Sequence, residues 1–435
     1  MNALSWNRSI EVRYTPDVMV IGGGPAGCAA AYAAAKAGAS VMLVEKSAFL
    51  GGLGTAALVP LLIGFHDGRE FLVGDFGHEL LYRMHTSGKH TFDLWPNAEM
   101  IHAEALKRAY DDIMMEHGVQ VLLTVNMVDA LFEDGRIDVC VMSGKSGLFA
   151  VRAKQYVDCT GDGDLCVLAG ADYEKGDSDH LLMGGTLCSI WNGVEWGKTV
   201  NEPQNRAVGR AYADGVLSQA DYHLPGIMKQ SDKIANGNTG HTFGVDGTDD
   251  ESLTAAMKLG RKQLEEYQIY YSKYLPGFEN LSLIYSGSQL GIRETRIIKG
   301  RDKLVLNDFV TRRKREDEIG RFSYRVDIHA GNSSKEKYEA YLSDFEKYQY
   351  NPGETYSIPY GIIQPLGLKN CYVAGRCVST DRYMQSSIRV MPGCMLTGLA
   401  AGFAASIGAM KGLDVGEVPY SQVRRKLVEE NIYLG

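Results

Sequence analysis

The stretch that decides the fold is residues 17–38, DVMVIGGGPAGCAAAYAAAKAG. Its first five residues form an apolar run of strand length, and an alanine-rich segment of helical character follows the glycines. Gly38 stands where a glycine commonly ends a helix. Residues 39–44 then return to strand character and end at Glu45. The order of strand, glycine-rich turn, helix and strand predicts a βαβ unit of a parallel sheet.

The turn between the first strand and the helix carries the pattern GxGxxG. It comprises Gly22, Gly24, Pro25, Ala26 and Gly27. In such a turn the first glycine permits the tight bend, the second lets the backbone approach a pyrophosphate, and the third lets the helix sit against the strand. The helix N-terminus then faces the phosphate charge. A glycine-rich turn without a ligand is the alternative, and the complete βαβ context disfavours it.

A carboxylate closes the second strand of this unit. Glu45 lies 23 residues after Gly22, close to the spacing of about 20 that is typical of a ribose-binding acid. A carboxylate there accepts hydrogen bonds from both ribose hydroxyls and disfavours a 2′-phosphate. Lys46 follows directly and is predicted to border the same site. The motif alone does not choose between NAD and FAD.

Composition narrows the classes of protein. The 435 residues are 45% hydrophobic and 23% charged, which is typical of a globular chain and predicts two or three domains. The net charge of -8 argues against nucleic-acid binding. No apolar stretch has the character of a signal peptide or a membrane span, so we expect a soluble cytoplasmic protein. No two cysteines form CxxC, and we predict no metal site.

Further elements follow from the apolar pattern. A loop with Gly51, Gly52, Gly54 and Thr55 suits close passage of the backbone along an extended cofactor. Short extended runs at 128–132, 137–142 and 148–152 predict an antiparallel meander. A strand over 153–159 ends in a turn that contains Thr160, Gly161 and Asp162. Strand character returns at 370–375. Helices are predicted over 99–117, 251–274, 393–411 and 420–430, and the helix over 251–274 opens with a capping box from Thr248 to Glu251.

Taken together, these motifs resemble the FAD-dependent oxidoreductase family of glutathione-reductase-like (two-dinucleotide-fold) flavoproteins, in the branch that has a single FAD domain and an inserted substrate domain. The matching segments span nearly the whole chain and include the opening fingerprint, GGLGT, DCTGDGDL, VDGTD, LGIRETR, VDIH, IPYGIIQP, NCYVAGRCVSTD and SSIRVMPGCMLTGLAAGFAA. The resemblance implies an α/β fold in which a Rossmann-like FAD-binding domain, a parallel sheet plus a β-meander, carries an inserted α+β substrate domain. It assigns 1–75, 98–172 and 356–435 to the FAD-binding domain, and 76–97 and 173–355 to the substrate or cap domain.

The resemblance also implies where FAD is held. Besides the residues above, it places Gly375 and Arg376 beside the ribityl chain and pyrophosphate. Many relatives carry Asp where this chain has Arg376, and an arginine there would pair with phosphate or face the substrate cavity. The helix that begins near Gly393 is expected to point its N-terminus at the flavin ring.

Absent motifs narrow the chemistry of this family. The segment after Glu45 lacks the cysteine pair of the disulfide reductases, and one dinucleotide fingerprint leaves no separate NAD(P)H domain. Electrons are therefore exchanged with oxygen, a quinone, a transient NAD(P) or a partner protein. The substrate is expected to be a small molecule, and the oligomeric state stays open, a homo-oligomer included.

Candidate catalytic residues follow from what hydride transfer at a flavin needs, namely a proton carrier and often a cation for a substrate anion. Asp327 and His329 are predicted to share one face of a strand. Arg389 precedes the flavin-facing helix, while His241 and Tyr360 are further candidates. Arg293, Glu294 and Arg296 form a charge cluster with two interpretations, a role toward substrate or flavin and a structural ion-pair network.

The leading hypothesis is a flavoenzyme that transfers a hydride between flavin N5 and a small polar organic substrate, at a carbon–oxygen, carbon–nitrogen or carbon–carbon bond. A second hypothesis is a thiazole-synthase-like protein that uses the fold to hold an adenylated product. A third is a tRNA-modifying flavoprotein, which the acidic balance disfavours, and a fourth is a non-catalytic FAD-binding subunit.

Overall fold

A computed structural model describes residues 7–86, 98–199, 203–224 and 226–435. Its strands are β1 Val12–Tyr14, β2 Val18–Ile21, β3 Val41–Glu45, β4 Leu61–Ile63, β5 Ala98–Met100, β6 Gln120–Leu123, β7 Asn126–Glu133, β8 Arg136–Gly144, β9 Gly147–Val151, β10 Gln155–Asp158, β11 Tyr173–Lys175, β12 Ser189–Asn192, β13 Gly226–Lys229, β14 Ala235–Asn238, β15 Ser282–Ser286, β16 Arg296–Ile298, β17 Glu318–Phe322, β18 Tyr356–Pro359 and β19 Cys371–Val373. Its α-helices are α1 Pro25–Lys36, α2 Gly74–Thr86, α3 Ala103–Glu116, α4 Asp164–Leu168, α5 Val208–Ala213, α6 Asp250–Tyr274, α7 Leu306–Thr311, α8 Lys335–Lys347, α9 Arg382–Ile388, α10 Met391–Lys411 and α11 Tyr420–Glu429. Short 3-10 turns span Gly52–Gly54 and Tyr360–Ile363.

A parallel sheet of five strands forms the centre of the fold, in the order β19-β10-β2-β3-β6. Val20 of β2 lies opposite Leu43 of β3 on one side and Val157 of β10 on the other. All residues of β2, β3 and β10 are buried, because helices and the meander cover both faces of a parallel sheet. The predicted α/β fold class is confirmed.

Helices α1 and α10 pack against each other at backbone distance. A Cβ added to Gly398 would overlap the carbonyl oxygen of Ala26, and one added to Gly402 would overlap that of Ala30. The alanine-rich α1 and the glycine-rich α10 therefore complement each other, since neither presents a large side chain at the crossing. This contact joins the first βαβ unit to the C-terminal part of the chain.

Replacing Gly402 with alanine is expected to lower the free energy of unfolding by about 1–3 kcal/mol, because overpacking of a close helix contact outweighs the better helix propensity of alanine. Urea denaturation of the purified protein measures the change. Gly197 is the matched control, since a Cβ there meets nothing within 4 Å. Equal stability of Gly402→Ala and the wild type would contradict the close packing.

The predicted meander is present. Strands β7, β8 and β9 pair antiparallel in sequence order, and β1 adds to β9 in parallel. A second, antiparallel sheet has the order β13-β14-β12-β15, and α6 packs beside it.

Two main apolar clusters organise the described residues. The first surrounds the parallel sheet, and the second is built between Leu187 and Ile292, around Trp191 and the tyrosines of α6. Buried residues of 76–84 and 298–322 belong to the first cluster. The division into an FAD-binding and an inserted domain remains a proposal, and the packing favours an insertion centred on 187–292. Residues 87–97 of the proposed cap lie outside the described residues.

Two local predictions were wrong. The helix predicted over 99–117 begins at Ala103, because residues 98–100 pair with β4 as a strand. The N-cap of α6 is Asp249, whose carboxylate accepts from Ser252 N at 2.7 Å, whereas Thr248 donates to Asp246. The longer helix was wrong because a strand partner distant in sequence pairs with its first residues. The capping box was wrong because Thr248 makes a competing local hydrogen bond to Asp246.

Within the described part of the chain, α10 is long and apolar enough to cross a membrane, contrary to the sequence expectation that no stretch qualifies. It is almost entirely buried in the core of this fold. Its apolar composition is explained by that burial.

Candidate active site

The three glycines of the fingerprint have different surroundings. Gly22 has a φ of +98°, and a Cβ there would overlap the carbonyl oxygen of Cys159. A Cβ on Gly27 would overlap the carbonyl oxygen of Gly22. At Gly24, by contrast, an added Cβ meets no atom closer than Gly52 Cα at 3.9 Å. The protein itself therefore needs the first and third glycines, while the second borders open space, as a backbone cradle for a phosphate requires.

The loop Gly51–Thr55 lies against this turn. The amide of Gly51 donates to the carbonyl of Gly23 at 2.8 Å, and the Thr55 hydroxyl donates to the carbonyl of Leu50 at 2.8 Å. On its far side, Gly54 borders Met391 at the start of α10. The structure thus brings together two glycine-rich segments and the N-terminus of a long helix.

Glu45 is buried at the carboxyl end of β3, next to the fingerprint. Its Oε2 accepts from the amide of Gly23 at 2.7 Å, and its Oε1 accepts from the amide of Ser47 at 2.7 Å. Each oxygen keeps a second lone pair, so these bonds fix the carboxylate and leave acceptor capacity for ribose hydroxyls. Lys46 follows it directly in the chain and is exposed.

The turn after β10 is built around a residue that the sequence motifs did not single out. Buried Asp158 accepts from the amide and the hydroxyl of Thr160 and from the amide of Cys166. Gly161 follows with a φ of +83°. A buried aspartate at the end of a strand, followed by TGDGD, is the signal that could have identified Asp158.

Arg376 and Asp162 form an ion pair at 2.5 Å, and the Thr295 hydroxyl donates to the same carboxylate at 2.7 Å. Burial opposes the charge of Arg376, but the Asp162 carboxylate outweighs it and raises the pKa of the guanidinium. The sequence predicts that Arg376 pairs with phosphate or faces the substrate cavity, whereas its partner in the structure is Asp162. Arg376 thus ties the turn after β10 to the turn after β19.

The turn after β19, which contains Gly375, is joined to α10. Gly375, with a φ of +96°, donates its amide to Thr397 Oγ1 at 3.0 Å and faces Ala26. A Cβ on Gly393 would overlap the carbonyl oxygen of Ile388, so this glycine is required by the junction between α9 and α10. The helix begins at Met391, two residues before the predicted start.

The segment that holds Asp327 and His329 is not a strand, so that prediction was wrong: residues 323–330 have no regular secondary structure. The two side chains are nevertheless close, with His329 Nε2 3.5 Å from Asp327 Oδ2. Asp327 is held by Arg389, whose Nη2 donates to its backbone carbonyl at 2.9 Å and lies 3.4 Å from its Oδ2. The amide of Asp327 also donates to Ser386 of α9 at 3.0 Å.

A buried chain of hydrogen bonds reaches His329 from the other side. His241 Nε2 lies 2.8 Å from His329 Nδ1, and His241 Nδ1 lies 2.8 Å from Asp221 Oδ2. The ring of His223 stacks on that of His329 with centroids 4.1 Å apart. We call Asp221, His223, His241, Asp327 and His329 the histidine cluster. Sequence reasoning missed Asp221 and His223, although DYH at 221–223 repeats the DxH pattern of 327–329.

The remaining candidate residues, Tyr360, Glu294 and Arg296, make hydrogen bonds and ion pairs with residues outside the histidine cluster. Tyr360 packs on Tyr420, and its hydroxyl lies 3.4 Å from that of Tyr372, away from the contacts of the histidine cluster. Glu294 pairs with Arg382 at 3.1 Å and Arg296 pairs with Asp164 at 2.7 Å. These two residues are thus held in ion pairs.

A comparison with protein families decides the identity at the level of the family. The family described as "FAD dependent oxidoreductase" matches residues 17–427. This chain belongs to the FAD dependent oxidoreductase family. It is therefore an enzyme whose cofactor is FAD, and the glutathione-reductase-like subclass remains a prediction.

Individual relatives of this flavoenzyme match shorter regions. Digeranylgeranylglycerophospholipid reductase 2 of Methanopyrus kandleri is 30% identical over 168 residues, 33% of this chain and 37% of that protein. The match thus spans little more than a third of that relative. Thiamine thiazole synthase of Thermococcus kodakarensis is 29% identical over 219 residues, 47% of this chain and 78% of that protein. Among solved structures, a geranylgeranyl bacteriochlorophyll reductase-like protein from Thermoplasma acidophilum is 14% identical with a TM-score of 0.46, over 96% of this chain and 84% of that one.

The geometry fits FAD. The open space at Gly24, the N-terminus of α1 and the fixed carboxylate of Glu45 are the donor and acceptor set that a dinucleotide needs. The loop Gly51–Thr55 and the N-terminus of α10 adjoin this set, and Gly375 reaches it through Ala26. We therefore propose these segments, with Thr160 to Asp162, as the residues that hold FAD.

Two of the three imidazole rings in the histidine cluster, those of His223 and His329, have lowered pKa values. Desolvation, followed by the positive charge of Arg293, lowers the pKa of His329 well below its usual value. Desolvation and then His241 lower the pKa of His223 in the same way. His329 is therefore a neutral imidazole at neutral pH, the form that accepts a proton.

These shifts predict how stability depends on pH. An unfolded histidine titrates near pH 6.5, while His223 and His329 titrate lower in the folded protein. Below about pH 6.5 the unfolded chain therefore binds more protons, and the free energy of unfolding falls until the pH passes the folded pKa values. Urea denaturation at a series of pH values should show a smaller fall in His223→Gln than in the wild type. Identical pH dependence would contradict the lowered pKa of His223.

Ring nitrogens of His223, His241 and His329 lie within 4.8 Å of one another, close enough to suggest a metal site. However, His241 and His329 are hydrogen-bonded directly, and the rings of His223 and His329 are stacked at 20°. Lone pairs in two nearly parallel ring planes do not converge on one ion. We therefore interpret the cluster as a proton-carrying group, and the absence of a metal stays a prediction.

Proposed function

We propose that this flavoenzyme transfers a hydride between flavin N5 and a small polar organic substrate, with His329 as the residue that moves the accompanying proton. The observation that carries the proposal is the buried hydrogen-bonded chain from Asp221 through His241 to His329. Bound FAD supplies the two-electron chemistry. The residues of the chain bind, orient and exchange the proton.

Hydrogen bonding assigns the protons of this chain. The Asp221 carboxylate accepts from His241 Nδ1, which leaves Nε2 of a neutral His241 as an acceptor. His329 then donates its Nδ1 proton to that nitrogen, so its own Nε2 carries a free lone pair. The 3.5 Å distance from Nε2 to Asp327 Oδ2 is too long for a hydrogen bond. Nε2 is thus the atom that takes the substrate proton.

Both carboxylates favour the protonated ring that results. Asp327 lies next to Nε2, and Asp221 acts through His241. In the direction of substrate reduction the same groups release the proton. Asp221 and His241 are positioning residues in this proposal, because they act through His329.

The histidine cluster is connected to the proposed flavin site by α9. Arg389, which holds Asp327, lies at the C-terminal end of α9, two residues before α10 begins. Gln385 of the same helix donates to the backbone carbonyls of Arg293 at 2.9 Å and Arg376 at 3.4 Å. Asp327 of the cluster is therefore attached to the junction between α9 and α10, next to the turn that contains Gly375 and Arg376.

The experiment that tests this function is anaerobic mixing of the purified flavoenzyme with a library of small alcohols, amines, hydroxy acids and unsaturated acids. Bleaching of the oxidised flavin spectrum identifies a substrate that is oxidised, and reoxidation of chemically reduced enzyme identifies one that is reduced. The proposal would be contradicted if no compound in the library bleached the oxidised flavin and none reoxidised the reduced enzyme.

A second candidate is a thiazole-synthase-like function, favoured by the match that spans 78% of the thiamine thiazole synthase of Thermococcus kodakarensis. That match covers 47% of this chain, against residues 17–427 for the oxidoreductase family. Mass spectrometry of the extracted ligand discriminates the two. An adenylated compound other than FAD would favour the second candidate.

A further inference from the structure

Arg293 is a buried cation without a carboxylate partner among the residues that the structure describes. Its residue is 9% exposed. Nη1 donates to the carbonyl of Gly184 at 2.7 Å and to the Thr186 hydroxyl at 2.9 Å, and Nη2 lies 3.5 Å from Asn238 Oδ1. All three partners are neutral. A buried guanidinium compensated by neutral groups alone is costly unless an anion joins it.

Other little-exposed arginines of this chain show the contrast. Each has a carboxylate within 4.0 Å: Arg315 has Asp302 and Asp308, Arg321 has Glu318, Arg376 has Asp162, and Arg382 has Glu294 and Asp177. Ion pairing is therefore the rule that this fold follows for such side chains, and Arg293 departs from it.

Arg389 adds a second cation to the same region. Its Nε is buried with no hydrogen-bond partner in the described structure, and its side chain is 11% exposed. Burial, followed by repulsion from Arg389, lowers the pKa of Arg293 to about 10. Both guanidiniums also lower the pKa of His329, so both lie within electrostatic reach of that ring.

We propose that Arg293 and Arg389 bind a carboxylate group of the substrate and so present its reacting carbon to His329. The assignment of this anion to the substrate rests on the function proposed above. Guanidinium groups match the planar carboxylate, and charge-assisted hydrogen bonds are among the strong ones. Asp221 and Asp327 contribute two negative charges nearby, which favours a monoanionic carboxylate over a phosphate dianion.

The bound carboxylate would also assist His329. An anion between the two guanidiniums offsets the positive charge that disfavours a protonated imidazole. The same contact therefore recognises the substrate and strengthens the base. An uncharged analogue lacks both effects.

Titration of the FAD-loaded enzyme tests the proposal without turnover. Acetate, succinate and benzoate are compared with acetamide, succinamide and benzamide at constant ionic strength, with the visible flavin absorbance and calorimetry as readouts. We expect saturable binding of at least one carboxylate and none of its amide. Arg293→Gln should weaken that binding by about 10- to 100-fold, while Arg293→Lys should retain part of it.

Two controls make the result decisive. Arg312→Gln removes an exposed arginine that pairs with Glu354 and should leave carboxylate affinity unchanged. If Arg293→Gln fails to retain FAD or its melting temperature, Arg389→Gln replaces it, with the same expected loss. The proposal is overturned if no carboxylate binds the wild type, if the amides or inorganic phosphate bind as tightly, or if the folded arginine variants keep full affinity. Because binding is measured, failure of the proton-transfer role of His329 would leave this result intact.

Discussion

An enzyme in which His329 is replaced by alanine is expected to lose about 10²- to 10⁴-fold in kcat, the usual contribution of a general acid or base. The variant should retain FAD, because the contacts of His329 lie within the histidine cluster and not with the glycine turns. Turnover is measured with a substrate found in the bleaching screen, and FAD content is measured by absorbance. The loss should appear in kcat and in kcat/KM alike, since the proton moves in the transition state.

The control for this variant is His78→Ala, which removes an exposed histidine of α2 that stacks on Phe71. It should turn over normally. Near-normal turnover of His329→Ala would exclude the proposed proton transfer and would transfer the role to His241, the next ring of the chain. The positioning role of Asp221 is tested with Asp221→Asn. We expect the acidic limb of its pH–rate profile to move, because Asp221 acts on the protonation of His329 through His241. A change that only disturbs the structure would leave that limb in place.

The parallel sheet could be predicted because its signal is local. Strand, glycine turn, helix and strand follow one another within residues 17–45. The glycines of the GxGxxG motif are recognisable in the sequence because each is needed for a specific backbone conformation or close approach. The meander was equally accessible, since its strands are consecutive and separated by short turns. Where the prediction failed, as at the start of α3, a strand partner from elsewhere in the chain decided the boundary.

The site was predicted only in part, because its residues come from separate segments. Asp221, His241 and His329 meet through hydrogen bonds across 20 and 88 residues of chain. The pairing of Arg376 with Asp162 spans 214 residues. The strand argument for Asp327 and His329 was wrong in its secondary structure, yet both residues lie together because Arg389 and Ser386 anchor the backbone of Asp327. Sequence therefore supplied the residue types, and tertiary contacts supplied the partners.

Arg293 shows the opposite case, in which the sequence suggests ion-pair partners that the residue does not have in the structure. Within GIRETR its neighbours Glu294 and Arg296 suggest a local ion-pair network, but Glu294 pairs with Arg382 and Arg296 with Asp164. Glu294 and Arg296 therefore belong to two separate ion pairs with residues distant in sequence, and not to one local network. What remains is one buried arginine that has no carboxylate partner among the described residues, and only the structure identifies it.

Replacing Gly24 with valine is expected to abolish FAD binding while the protein still folds. The two effects separate because the added Cβ meets no protein atom closer than 3.9 Å, yet it fills the space where the backbone would approach the pyrophosphate. The N-cap backbone at Gly24 has φ -73° and ψ -177°, which is extended and open to valine. Flavin per protein should fall towards zero, measured in the supernatant after acid precipitation, which releases FAD that is not covalently attached. The matched variant is Gly27→Val, whose Cβ overlaps the carbonyl oxygen of Gly22 and which should lose both FAD and folded protein. A yellow Gly24→Val enzyme with normal FAD content would show that the cofactor does not pass over this turn.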